Sequence, residues 1–257
     1  MKRIELGRYH RFALEFILIV AGVLAALAVD DWRQSRADVA TERYILEGLL
    51  ADLSRDREDI ASSISAASAR AAGADKLLAD VGSTAAGTVQ LTPWTVSPSR
   101  LDQQQVFEKS RTEYLSTSFS TTTALRMLTS SGSMQRVNVS SPTFTEASAS
   151  GDMDKIRNVE LRVALAQYYY DAARFGDTTD QRVDNHWLHL RNVLASGGLP
   201  SGSLKSEETI LQILSNDDAL IAEIINAREL AVSQMMMNTI ILELANDLAE
   251  SLQQALQ

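Results

Sequence analysis

Residues 12–29 form an unbroken run, FALEFILIVAGVLAALAV, whose one charge is Glu15 in the first turn. As a helix rising 1.5 Å per residue, the run spans roughly 27 Å, close to the hydrocarbon thickness of a bilayer. It is long enough to cross, and a transmembrane helix is expected there. Lys2, Arg3, Arg8 and Arg11 precede it against Glu5 alone, and Asp30 and Asp31 follow directly. The positive-inside rule then makes residues 1–11 a cytoplasmic N-terminus and puts residues 30–257 outside the cytoplasm, which for a bacterial inner-membrane protein means a periplasmic domain. Tyr9 and Trp32 stand where interfacial aromatic belts form. The rival reading is a cleaved signal peptide, because Ala26-Leu27-Ala28 matches the small-x-small cleavage pattern. Against it, the apolar run is longer than a usual signal core and two aspartates follow at once.

What lies beyond the run is expected to be helical. Only 4 prolines and 12 glycines punctuate 257 residues, while 45% hydrophobic content can fill a sizeable core. The fold class is therefore all-α: an N-terminal transmembrane helix continuing into a bundle of long helices. A net charge of -9 argues against nucleic acid, whose phosphates need clustered Lys and Arg. With no cysteine the chain has no disulfide, thiolate metal site or cysteine nucleophile.

Val39, Leu46, Leu53, Ile60 and Ala67 recur every seven residues, predicting one long helix from Trp32 to about Leu78, continuous with the membrane segment. The charge run Arg55, Asp56, Arg57, Glu58 and Asp59 reads as its solvated face. Glycines, prolines, Ser and Thr predict a linker over about 82–100, with Trp94 placed to anchor it on the bundle or to touch a partner. One or two helices are expected over 101–131, ending at Gly132. Residues 133–153 are polar and read as a surface insertion or loop. Helices are then expected over 154–195, from Ser206 with Glu207 and Glu208, and over 217–257. The patch at Met235, Met236 and Met237 reads as core, being too short for a second membrane pass.

No constellation of residues signals catalysis: there is no phosphate loop, no serine elbow and no zinc helix. His186 and His189 share a helix face near Asp184, but no second pair completes a metal site. They read as structural, as do Tyr168, Tyr169 and Tyr170, of which at most two can share a face. No histidine lies within 12–29 to ligate a pigment. The expectation is no enzyme, no cofactor and no metal. Contact with partners is expected instead on the anchor, where Glu15 either snorkels beside Arg11 or meets another helix. Gly22, Ala25 and Ala26 offer small residues for close packing. Trp32 and Trp94 complete the candidate contacts.

Two stretches carry a resemblance. Glu15-Phe16-Ile17-Leu18-Ile19-Val20-Ala21-Gly22, leaving the membrane at Asp30-Asp31-Trp32-Arg33, is one; Tyr114-Leu115, Ser130-Ser131-Gly132 and the helix reaching Gln167-Tyr168-Tyr169 is the other. Together they resemble an uncharacterised family of bacterial single-pass membrane proteins, which has no assigned activity. That family exits through an Asn-Asn-Trp-like collar, here more acidic. The resemblance implies topology and not chemistry. The function expected is a non-catalytic accessory or scaffold subunit of a larger membrane complex, respiratory or photosynthetic (reaction-centre or light-harvesting type). Its partners would be membrane lipid, other membrane subunits or a second copy. The alternative is a membrane-tethered periplasmic sensor or ligand-binding bundle.

Overall fold

No proline precedes Pro93, so nothing in the first third of the chain forces a helix to break. One helix of 75 residues results, α1 (Leu6–Asp80). The structure, a computed structural model, describes residues 6–87, 119–129, 137, 139 and 141–257, without the side chains of 6–13 and 175–180. After α1 come α2 (Thr121–Thr129), α3 (Pro142–Ser150), a 3-10 turn (Asp152–Lys155), α4 (Val159–Ser196), α5 (Glu207–Ser215) and α6 (Asp218–Ala255). The described elements are all helical, with no strand among the described residues. Most of the linker expected over 82–100, with Trp94, and the stretch 101–118 lie outside the described residues, as do Ser130, Ser131 and Gly132.

Local sequence sets the helix starts. Ser206 caps α5 by accepting from Thr209 N, Asn158 caps α4 by accepting from Leu161 N, and Asp217 caps α6 by accepting from Ala219 N and Leu220 N. The Asn158 cap, preceded by the 3-10 turn, explains why α4 begins later than the periodicity from residue 154 suggests.

α1 and α6 form the spine, packing antiparallel along three apolar clusters. At one end Leu49 and Leu53 pack with Leu248 and Leu252. In the middle Ala67 and Ala71 meet Val232 and Met235. At the other end Leu77 and Leu78 join Leu220 and Ile224. The three methionines of α6 are buried as expected. The seven-residue stripe, however, enters the core only at Leu46, while Val39 is exposed.

Two glycines of α1 mark where short helices cross it. A Cβ on Gly73 would lie 2.7 Å from the backbone oxygen of Ala124 in α2, and one on Gly48 would lie 2.9 Å from Thr143 in α3. The Thr143 side chain can rotate, whereas the Ala124 carbonyl belongs to a helix. Gly73→Ala is therefore expected to destabilise by about 1–3 kcal/mol, the range for overpacking, and Gly48→Ala by less, in denaturant titrations followed by circular dichroism.

The segment 133–153 corrects the sequence reading. Over its described part, it is no surface loop: α3 lies on α1, with Ala147 buried and the Phe144 ring 4.6 Å from that of Tyr169. Pro142 starts the helix, Ser141 caps it, and Asp52 of α1 accepts from Thr143 N at 3.0 Å and from Ser141 Oγ at 3.2 Å. A carboxylate at a helix N-terminus favours the dipole. The weak apolar periodicity of PTFTEASAS hid a helix specified by its capping. Deleting residues 141–153 uncovers Asp52 and Tyr169, so the expected result is a clear fall in unfolding midpoint.

Candidate functional site

The described side chains of α1 divide into two regimes. From Leu46 onward one face is buried. From Leu14 to Ala37 every residue is exposed, including Leu14 at 63%, Phe16 at 68% and Ile19 at 66%. Glu15, Gly22, Ala25 and Ala26 lie in this stretch, and nothing comes within 4 Å of a Cβ built on Gly22. Trp32 is exposed too, with the Arg36 guanidinium 4.3 Å above its ring. Four of the expected contact residues are thus on a helix that projects from the bundle, and Trp32 is at its root.

Among the described residues, no helix is long and apolar enough to cross a membrane. The described apolar side chains run from Leu14 to Val29, with Glu15 near one end and Asp30 and Asp31 at the other. The run written in the sequence begins two residues earlier, at Phe12, where the backbone is already helical.

Where α1 enters the bundle, a notch of about 610 Å³ opens between α1 and the segment 151–157. Asp31, Ser35, Asp38 and Glu42 line one wall, and Asp154, Lys155 and Arg157 the other. Arg157 donates from its backbone N and from Nε to Glu42 at 2.8 and 2.7 Å. Lys155 reaches Asp38 at 3.6 Å and Asp152 at 3.1 Å.

Inside the spine runs a file of buried polar groups that the sequence reading missed. Glu42, Asp52, Asp56, Ser63, Arg70 and Asp75 of α1 are all buried. Asp56 accepts from the Tyr168 hydroxyl at 3.4 Å, and burial followed by that carboxylate pushes the Tyr168 phenol upward. Asn238 donates to Ser63 at 2.8 Å, Arg70 donates to Gln234, and Arg228 meets Asp75 at 2.7 Å. The charge run at 55–59 is solvated except at Asp56, which is buried, with Asp59 half-buried. The missed signal was a spacing: Glu42, Asp56, Ser63 and Arg70 fall on one heptad position.

His186 and His189 sit beside α6, where His189 Nε2 lies 3.4 Å from Glu223 Oε1. Among the described residues, no group of side chains could hold a metal ion. A narrow slot lined by Leu128, Val183, His186, Trp187 and Ala227 has room on the order of one water molecule. Burial pushes the His186 imidazole down, opposed by Glu223 and helped by His189. The folded chain thus takes up that proton less readily than the unfolded chain does. The stability His186 contributes is complete above the ordinary histidine range and is lost as pH falls from about 6.5 toward the lowered value in the folded chain. His186→Gln should flatten the slope of unfolding midpoint against pH between about 7 and 5. Of the tyrosines, Tyr168 and Tyr169 are buried and Tyr170 is exposed, as helical geometry requires.

Neither the protein-family models, nor the curated proteins, nor the solved structures contain a match to this chain. The resemblance to single-pass membrane proteins thus stands on its motif residues.

Proposed function

We propose that the chain is a membrane-anchored, non-catalytic accessory subunit of a larger bacterial membrane complex, its N-terminus cytoplasmic and its bundle periplasmic. The observation that carries this reading is the apolar stretch of α1 between residues 14 and 29, whose large side chains are exposed without exception. A Leu, Ile, Val or Phe side chain left in water forgoes about 1.5–3 kcal/mol of burial. Ten such side chains on one projecting helix need an apolar environment, and lipid supplies it. With Phe12 and Ala13 added, the run is long enough to span and holds a single carboxylate, Glu15, one turn from its cytoplasmic end.

The accessory role rests on what the bundle contains. Its buried polar groups bond to one another and fasten helices together, and the slot at His186 and Trp187 is far smaller than a ligand pocket. A sensor is the second reading, favoured by two buried atoms of that slot, His186 Nε2 and Trp187 Nε1, which have no hydrogen-bond partner among the described residues. Detergent extraction and native purification with mass spectrometry separate the two. The accessory reading expects the chain in stoichiometric amount within a larger membrane assembly. A free monomer or a homodimer sinks it.

A further inference from the structure

The face by which α1 holds α6 does not stop where α6 stops. Along the spine, Leu46, Leu53, Ile60 and Ala67 occupy one heptad position, and the residues three further on, among them Ser63 and Arg70, complete the seam. Contacts across it fix an antiparallel register, with Asp75 on Arg228, Arg70 on Gln234 and Ser63 on Asn238. In that register the last turn of α6 reaches the level of Ile45, where Leu252 closes the cluster. Carried toward the N-terminus, the same heptad position reads Val39, Trp32, Ala25 and Leu18, with Ala28 and Ala21 on the adjoining position. All six are exposed. The seam therefore continues for roughly 32 Å, at 1.5 Å per residue, without a partner among the described residues.

We propose that a membrane-spanning helix of another subunit fills this continuation, running antiparallel to α1, with its N-terminal turn seated in the notch between α1 and the segment 151–157. The inference rests on the membrane reading above. Three features of the seam select this occupant. It extends an interface already built for an antiparallel helix, and Ala21, Ala25 and Ala28 let a backbone approach closely in lipid. The notch carries four carboxylates, Asp31, Asp38, Glu42 and Asp154, against two cations, Lys155 and Arg157. That excess suits the positive end of a helix dipole. The C-terminal end of α6 carries the opposite partial charge, so the two helices meet head to tail.

A second copy fits poorly. Copies of one chain enter the membrane in one orientation, so a copy can lie only parallel and sets its Asp31 and Asp38 against the same residues here. It must also find room for its own α6 on the same side. Gly22 stands at the edge of the seam and Ala26 points away from it, which narrows the contact set to Leu18, Ala21, Ala25, Ala28 and Trp32.

Photocrosslinking in native membranes tests this with the full chain. A benzophenone amino acid is placed singly at Leu18, Ala25 or Trp32, and for comparison at Val23 or Ala26 on the outward side. Crosslinked peptides are then sequenced by mass spectrometry, and retention of each variant after alkaline carbonate washing is measured in parallel. The expected result is adducts at the three seam positions, several-fold above the outward ones. They should map to one membrane-spanning helix of another protein, in reverse order along it, Trp32 nearest that helix's N-terminus. Adducts to this chain itself, a forward order, equal yields on both sides, or no adducts from retained protein each overturn the inference. Loss of the unsubstituted chain in carbonate instead overturns the membrane reading beneath it.

Discussion

Asp75→Asn is expected to destabilise the bundle by about 3–5 kcal/mol, the cost of breaking a buried ion pair from one side. Asp75 and Arg228 are 4% and 1% exposed at the side chain and meet at 2.7 Å. Arg228 also donates to Ala85 O at 2.6 Å, and Gly87 N donates to Asp75 at 3.3 Å. One carboxylate thus fastens α6 to the end of α1 and to the turn that follows. Asparagine keeps the shape and removes the charge that faces the Arg228 guanidinium in the core. The double variant Asp75→Leu with Arg228→Met removes both charges and should recover most of the loss. Denaturant unfolding of the full chain in detergent, followed by circular dichroism, measures both. A single variant within 1 kcal/mol of the parent (~0–1 kcal/mol being the range for exposed pairs) would mean that water reaches the pair.

The second large effect falls on the other part of α1. Val20→Arg with Leu24→Arg puts two guanidiniums near the middle of the apolar run, each costing about 2.5–3.5 kcal/mol of insertion. The variant should leave the membrane fraction almost entirely. The same substitutions touch nothing in the bundle, since both side chains are exposed, so the unfolding midpoint should not move. Effects on both readouts together would mean that the stretch packs on the bundle and is not an independent anchor.

The long elements were legible because they rest on signals that a sequence carries openly. Proline-free stretches, a seven-residue apolar repeat and the helix starts at Ser206 and residue 217 led to α1, α5 and α6, and the core role of Met235 to Met237 followed from a patch too short to cross a membrane. Where the sequence misled, charge and polarity had been taken as marks of solvent. Asp52 and Asp56 belong to a helix whose other side is charged and exposed, and only tertiary packing distinguishes them from Arg55 and Arg57. The residues of α3 are small and polar, and besides Pro142 and the Ser141 cap its start is held by Asp52, far away in the chain. Small residues on the anchor stand out in the sequence; placing Ala21 and Ala28 on the continued seam and Ala26 off it takes the face of α1 that holds α6.

The most direct test of the account is the placement of the N-terminus and of the helical bundle on opposite sides of the membrane. The chain has no cysteine, so single variants Lys2→Cys and Gln253→Cys each carry one label site. Membranes are washed in alkaline carbonate, and intact cells with a permeabilised outer membrane are treated with an impermeant maleimide. The account predicts that both variants stay in the carbonate pellet, that Gln253→Cys is labelled in intact cells, and that Lys2→Cys is labelled only after lysis. Release of the chain into the carbonate supernatant, or labelling of Lys2→Cys from outside, would contradict it.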